Sequence, residues 1–144
     1  VAILADQFAK HVDFFSIGTN DLTQYTLATD RMNEKLKGLY SHFDPSVLSL
    51  IEHTIKSGNQ NNIEVSLCGE AASDLKMVPL LIGFGLKTFS VNPTSILEIR
   101  GLISKLDSKA CQALADSVLL CDTKENVLEK IEMFFQSEKL VMSI

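Results

Sequence analysis

Four side chains in this sequence have types and surroundings suited to chemistry: Asn20, Asp21, Arg31 and Cys68. Asn20-Asp21 follows Gly18-Thr19 directly after a short apolar run, so the pair stands where a chain turns out of a strand. A carboxylate there can hold a hard cation such as Mg²⁺, which takes one or two carboxylates together with substrate oxygens. The neighbouring amide can donate to an anionic oxygen. The same two residues also suit the cap of a helix beginning at Leu22, and spacing alone favours the cap. Cys68 ends a second apolar run and precedes Gly69-Glu70. A thiol at a strand end, close to a helix start, can be tuned for proton transfer. A buried cysteine is otherwise an inert small hydrophobe, and Glu70 either orients the thiol or caps the next helix. Arg31, in Thr29-Asp30-Arg31, lies off any apolar stripe. It can grip a phosphate with two parallel hydrogen bonds, or form a surface ion pair with Asp30 or Glu34. His11, His42 and His53 share no ligand spacing with one another or with the cysteines, which argues against a histidine metal site. Gly-x-Gly-x-x-Gly, Walker A and Gly-x-Ser-x-Gly patterns are absent, disfavouring dinucleotide, P-loop and serine-esterase chemistry.

These residues require a frame. Residues 1–12 carry Ile3, Leu4, Phe8 and Val12 at helical spacing. Residues 13–17 are too short an apolar run for a helix and read as a buried strand. Residues 18–43 are mixed and polar, with one helical stretch over 22–27. Asp44 is a good N-cap, Pro45 suits the first helical position, and Val47, Leu48, Ile51 and Ile55 form the stripe of a helix closed by Gly58. A second strand spans 63–67 and ends at Cys68-Gly69. A helix over about 76–84 must start late because of Pro79. A third strand covers 87–91 and a helix 95–106. Two more helices begin after Ser108, with Leu114 and Val118 buried, and after Thr123, with Val127, Leu128, Ile131, Phe134 and Phe135. Strands alternating with helices define an α/β class with parallel strands, where reactive groups gather at the C-terminal strand ends. Three strands make a thin sheet, so the last two helices are expected to cover an edge or a dimer contact instead of a sheet face.

At 144 residues, 46% of them hydrophobic, the chain is one domain with a real core. Thirteen Lys+Arg against eighteen Asp+Glu give a net charge of −5, which argues against nucleic acid or anionic membrane as a partner. The longest apolar stretch, 78–86, is far below the ~18 residues of a membrane span. Cys68, Cys111 and Cys121 fit neither a disulfide framework nor a metal knuckle, which points to a reducing, cytoplasmic setting. Neither a secretory signal nor an initiator Met opens the chain, so a piece of something larger is expected.

Several blocks are more specific. Residues 12–25, with Ser16-Ile17-Gly18-Thr19-Asn20-Asp21-Leu22-Thr23-Gln24, resemble the signature of phosphoenolpyruvate-utilising enzymes. Leu39-Tyr40, Asp44-Pro45-Ser46-Val47-Leu48, Leu67-Cys68-Gly69-Glu70-Ala71-Ala72-Ser73-Asp74 and residues 83–90 match in order. The Leu-Tyr and Pro-Ser-Val-Leu blocks favour the Enzyme I branch, of the bacterial sugar phosphotransferase system, over the pyruvate phosphate dikinase and phosphoenolpyruvate synthase branches. The likeness covers nearly the whole chain and weakens after about Lys105. It implies the C-terminal part of a (β/α)₈ barrel over residues 1–144, with its last three strands. It also implies a phosphoryl transfer from phosphoenolpyruvate to an enzyme histidine and on to a histidine phosphocarrier protein, releasing pyruvate. Carried over by position, Asp21 is one of two carboxylate ligands of Mg²⁺. Asn20 and Arg31 hold the phosphoryl group, helped by the backbone at Asp21, and Cys68 protonates the enolate. Ser66 and Ser73 stand where that family usually has glycine, and Val91-Asn92-Pro93 replaces small residues. The phosphorylated histidine, the second carboxylate and further arginines would lie upstream. The isolated chain is therefore expected to be inactive and to form a homodimer. A half-barrel kept only for self-association is the alternative of another class.

Overall fold

The computed structural model describes residues 1–140; residues 141–144, which the expected 1–144 domain includes, lie outside the described residues. Three parallel strands, β1 (Phe14–Gly18), β2 (Glu64–Cys68) and β3 (Thr88–Phe89), lie side by side in chain order. Phe15 pairs with Val65 and Gly18 with Cys68, so the ends of β1 and β2 are level. β3 is shorter than the expected 87–91. Only Thr88 and Phe89 pair with Ser66 and Leu67, and one further bond, from Ser90 N to Leu67 O, precedes the turn at Pro93.

Helices α1 (Ala5–Phe8), α2 (Thr19–Leu27), α3 (Pro45–Gln60), α4 (Val78–Gly83), α5 (Ile96–Ile103), α6 (Ser108–Val118) and α7 (Lys124–Ser137) complete the fold. Phe15, Ile17, Val65 and Leu67 point to one side of the sheet and are buried, and α3 packs on both strands. Phe14, Ser16 and Gly18, with Glu64, Ser66 and Cys68, point the other way and are exposed or half-buried; Phe14 is 63% exposed. β1 is thus buried on one face only, not throughout. In a doubly wound fold helices cover both faces and the strands are apolar on both. Neighbouring parallel strands in chain order, with one covered face, instead trace an arc of a (β/α)₈ barrel whose bare face is the inner one.

Asp44 caps α3 as expected, accepting from Ser46 N at 2.9 Å, with Pro45 in the first turn. Gly58 does not end that helix. It sits inside it because a Cβ there would lie 2.2 Å from Val65 Cγ2, so the glycine lets helix and sheet touch. Two residues past the end of α3 at Gln60, Asn62 takes the left-handed turn (φ 58°), which asparagine tolerates, and Ile63 N bonds back to Gly58 O. The expected helix over 1–12 is broken into a 3₁₀ turn (Ala2–Leu4) and the four-residue α1. Small Ala5 and Ala9 face the core, while Ile3, Leu4, Phe8 and Val12 remain exposed. The helix over 95–106 likewise divides into a 3₁₀ turn (Pro93–Ser95) and α5.

The last two helices pack on other helices. α6 packs on α4, and α7 on α6. Asp107 and Thr123 cap them, accepting from Ala110 N and Asn126 N. Cys111, Leu114, Ala115 and Val118 of α6, with Val127, Ile131, Phe134 and Phe135 of α7, join the same apolar cluster as Leu48, Ile51 and Leu67.

Candidate active site at the strand ends

Cys68 is the last residue of β2, and its half-buried thiol lies on the bare face. Cys68 Sγ donates to Ile17 O at 3.5 Å and stands 3.9 Å from Ser16 Oγ. Its carbonyl accepts from the buried Thr19 hydroxyl at 2.9 Å. The chain then reverses at Gly69, whose φ of 94° only glycine adopts without strain.

β1 delivers Asn20 and Asp21 to the same end. The expected cap at Asn20-Asp21 is not formed, because α2 begins earlier, at Thr19 after Gly18. Both residues lie in its first turn. Asn20 Oδ1 accepts from Glu70 N at 3.4 Å, so the amide bridges the ends of β1 and β2. Tyr40 donates to Asn20 O at 3.2 Å. Burial pushes the Tyr40 phenol above its ordinary value; the Glu70 carboxylate adds to this, Arg31 opposes it, and Asp21 adds a smaller push. Asp21, Arg31 and Glu70 are therefore all within electrostatic reach of one hydroxyl, at the end of the sheet where Cys68 lies.

Arg31 is exposed, and among the described residues it forms no ion pair with Asp30 or Glu34. Asp30 Oδ1 accepts instead from Met32 N at 2.9 Å, a local turn with Arg31 at its tip. Asn20, Cys68, Gly69, Glu70, Ser90, Val91 and Asn92 line a cleft of about 370 Å³. A cleft of about 410 Å³ beside the C-terminal part of α3, lined by Glu52, Lys56, Gln112 and Asp116 among others, holds none of these groups.

The arrangement fits part of a Mg²⁺ site. Among the described residues no three His, Cys, Asp or Glu side chains gather closely enough to hold an ion alone. Mg²⁺, however, keeps waters and substrate oxygens and needs only one or two carboxylates. The exposed Asp21 offers one.

Residue typing missed three contributors. Thr19 anchors the Cys68 carbonyl, Tyr40 ties the α2–α3 connection to Asn20, and His42 bonds Asp74 across two loops at 3.1 Å. Ser16 was visible as a strand residue, but its nearness to Cys68 depends on the register of β1 against β2.

The fold defines a segment of a (β/α)₈ barrel, with Asn20, Cys68 and Glu70 gathered at the C-terminal ends of its strands. Residues 1–108 match the family described as PEP-utilising enzyme, PEP-binding domain, and the chain belongs to that family. It is 48% identical over 136 residues to the phosphoenolpyruvate-protein phosphotransferase of Mycoplasma capricolum, covering 94% of this chain and 24% of that protein. With the protein of the same name from Streptococcus equinus it shares 54% over 129 residues, covering 89% and 22%. With that of Lactococcus lactis subsp. lactis it shares 50% over 134 residues, covering 92% and 23%. The chain thus spans about a quarter of the length of these relatives.

Proposed function

We propose that this chain is the C-terminal part of the barrel of a phosphoenolpyruvate-protein phosphotransferase, and that Asn20, Asp21, Arg31 and Cys68 are its share of the active site. The observation that supports this most is the convergence of Cys68, Asn20 and Glu70 in one cleft, with Asp21 next to Asn20 in the first turn of α2 and the Arg31 charge acting on Tyr40, which bonds Asn20 O.

In the reaction, the bond between phosphorus and the enol oxygen of phosphoenolpyruvate breaks and a bond from phosphorus to a histidine nitrogen forms. The electron pair stays on the departing enolate. Arg31 and the Asn20 amide offer donors to the phosphoryl oxygens, where charge spreads during transfer. Bound Mg²⁺ would neutralise part of that charge, with Asp21 as one carboxylate ligand. The enolate then takes a proton at its terminal carbon from the Cys68 thiol and becomes pyruvate. Solvent returns a proton to the thiolate. The histidine passes its phosphoryl group to a histidine phosphocarrier protein, in a cytoplasmic sugar phosphotransferase system. That histidine, the second metal carboxylate and further phosphate-binding arginines belong to upstream segments.

The bare inner face, with Phe14 63% exposed, supports a second point. Apart from the upstream strands, this chain pairs its exposed face with another copy as a homodimer and does not turn over substrate. Among the described residues no helix is long and apolar enough to cross a membrane.

The test is made on the full-length protein containing this chain. Calorimetry should show Mg²⁺-dependent phosphoenolpyruvate binding, and a coupled assay should show pyruvate release. Binding without turnover would favour a non-catalytic module, and absence of binding would overturn the proposal.

A further inference from the structure

Residues 28–44 connect α2 to α3 through turns alone, and they carry Arg31. A guanidinium on such a segment serves a phosphoryl site only if the segment is held against the strand ends. Three side-chain bonds tie it to the rest of the molecule. Tyr40 donates to Asn20 O, Lys124 Nζ donates to Gly38 O at 2.6 Å, and His42 Nε2 donates to Asp74 Oδ2 at 3.1 Å. Of the three, the His42–Asp74 bond joins the Arg31 connection directly to the connection that follows Cys68-Gly69-Glu70.

Both ends of that bond are fixed from their own side. Asp74 Oδ1 accepts from Lys76 N at 2.9 Å, and Asp74 O accepts from Met77 N at 2.9 Å. The His42 ring lies 4.5 Å from the ring of Phe43, and Phe43 is buried in the core. The side chains are only 19% and 31% exposed, so water competes weakly for the bond. Neither residue lines the cleft.

We propose that His42 and Asp74 are positioning residues, whose hydrogen bond clamps the Arg31-bearing connection to the Cys68-bearing one and so sets the affinity for the phosphorylated substrate. The proposal rests on the functional reading above. Loosening the clamp lowers the fraction of molecules with Arg31 in place. Apparent affinity falls by that fraction, while chemistry at Cys68 proceeds unchanged once substrate is bound.

In the full-length enzyme, His42→Ala should raise KM for phosphoenolpyruvate roughly 3–10-fold with kcat within about twofold, the range set by loss of one ordinary, partly exposed hydrogen bond. His42→Gln, which keeps a donor, should recover most of the loss. Asp74→Ala should match His42→Ala, and the double variant should be no worse than either single one. Amide hydrogen exchange read on the peptide spanning 28–44 should speed up in the two alanine variants and not in His42→Gln; this readout does not depend on turnover. Unchanged exchange, unchanged KM, or a glutamine variant as poor as the alanine one would each overturn the clamp. A wild-type enzyme that exchanges as described but never releases pyruvate would overturn the functional reading, and the affinity claim with it.

Discussion

Gly69→Ala is the substitution that presses hardest on the candidate site. Gly69 holds φ 94° and ψ −169°, a region open essentially to glycine, and a non-glycine residue there costs about 1–3 kcal/mol. The new methyl would lie 2.6 Å from Thr19 Oγ1 and 3.3 Å from Asn20 Oδ1. Thr19 cannot simply retreat, because it is buried and its hydroxyl holds Cys68 O. Overpacking of this kind costs about 1–3 kcal/mol, and losing the Thr19 bond about 1 more. The reduced freedom of the unfolded chain returns only about 0.4–1 kcal/mol. The net loss is about 2–7 kcal/mol, a large share of the roughly 5–15 kcal/mol of a typical domain. The surviving folded molecules should have Cys68 displaced, and a misplacement near 1 Å costs on the order of 10²-fold in rate. Urea unfolding gives the first quantity and pyruvate release the second. Adding Thr19→Ala makes room for the methyl without changing φ, so it should recover part of the stability but not all. A Gly69→Ala enzyme within about 1 kcal/mol of wild type and fully active would refute the reasoning.

Cys68→Ala should cut kcat for pyruvate formation by on the order of 10²–10⁴-fold and leave phosphoenolpyruvate binding intact; unchanged turnover would return Cys68 to a packing role. Arg31→Lys should impair the reaction although the charge is kept, because the two-pronged contact is lost, and Asp21→Asn should raise the Mg²⁺ concentration needed for half-maximal rate with little change in melting temperature. Cys111 is fully buried, and burial, followed by the Asp107 and Glu138 carboxylates, pushes its thiol from near 9 up to about 11. Its folded-state pKa is raised, so the stability it contributes is present below pH 9 and lost as pH rises towards 11. Alkaline melting curves of wild type should fall more steeply there than those of Cys111→Ala, and iodoacetamide should label Cys111 only after unfolding.

Much of this architecture follows from local chemistry. Asp44-Pro45 and Thr123 mark helix starts by capping, and Leu67-Cys68-Gly69 marks a strand end by the glycine that must turn the chain. Strand ends in an α/β chain also place Asn20, Asp21 and Cys68 together. Gly58 misleads because its role is tertiary: a glycine whose added Cβ would lie 2.2 Å from Val65 Cγ2 looks, in sequence, like a helix stop. Residues 1–12 mislead for the opposite reason. Their apolar spacing is helical, but only Ala5 and Ala9 have a surface to meet. Arg31 stands out as a cation off any apolar stripe, and its phosphoryl-binding role comes from the family resemblance. His42 and Asp74 are 32 residues apart in two irregular connections, so their meeting depends on sheet register and loop closure together.

The family match ends at residue 108, yet the helices beyond it are tied to the site. α6 approaches α4 so closely that a Cβ on Gly83 would lie 2.3 Å from Cys111 O, a contact only glycine permits. α7 in turn packs on α6, and Lys124 in its first turn reaches Gly38 O in the connection carrying Arg31. Lys124 also lies 3.9 Å from Glu125, an exposed pair that contributes little by itself. The bond to Gly38 is different in kind, since it spans 86 residues and restrains a segment built from turns. α6 is seated against Gly83 and α7 against α6, and α7 holds the Arg31 connection at Gly38 while Asp74 holds it at His42. The described residues beyond 108 therefore meet the Arg31 connection through packing and the Lys124–Gly38 bond, and none of them lines the cleft.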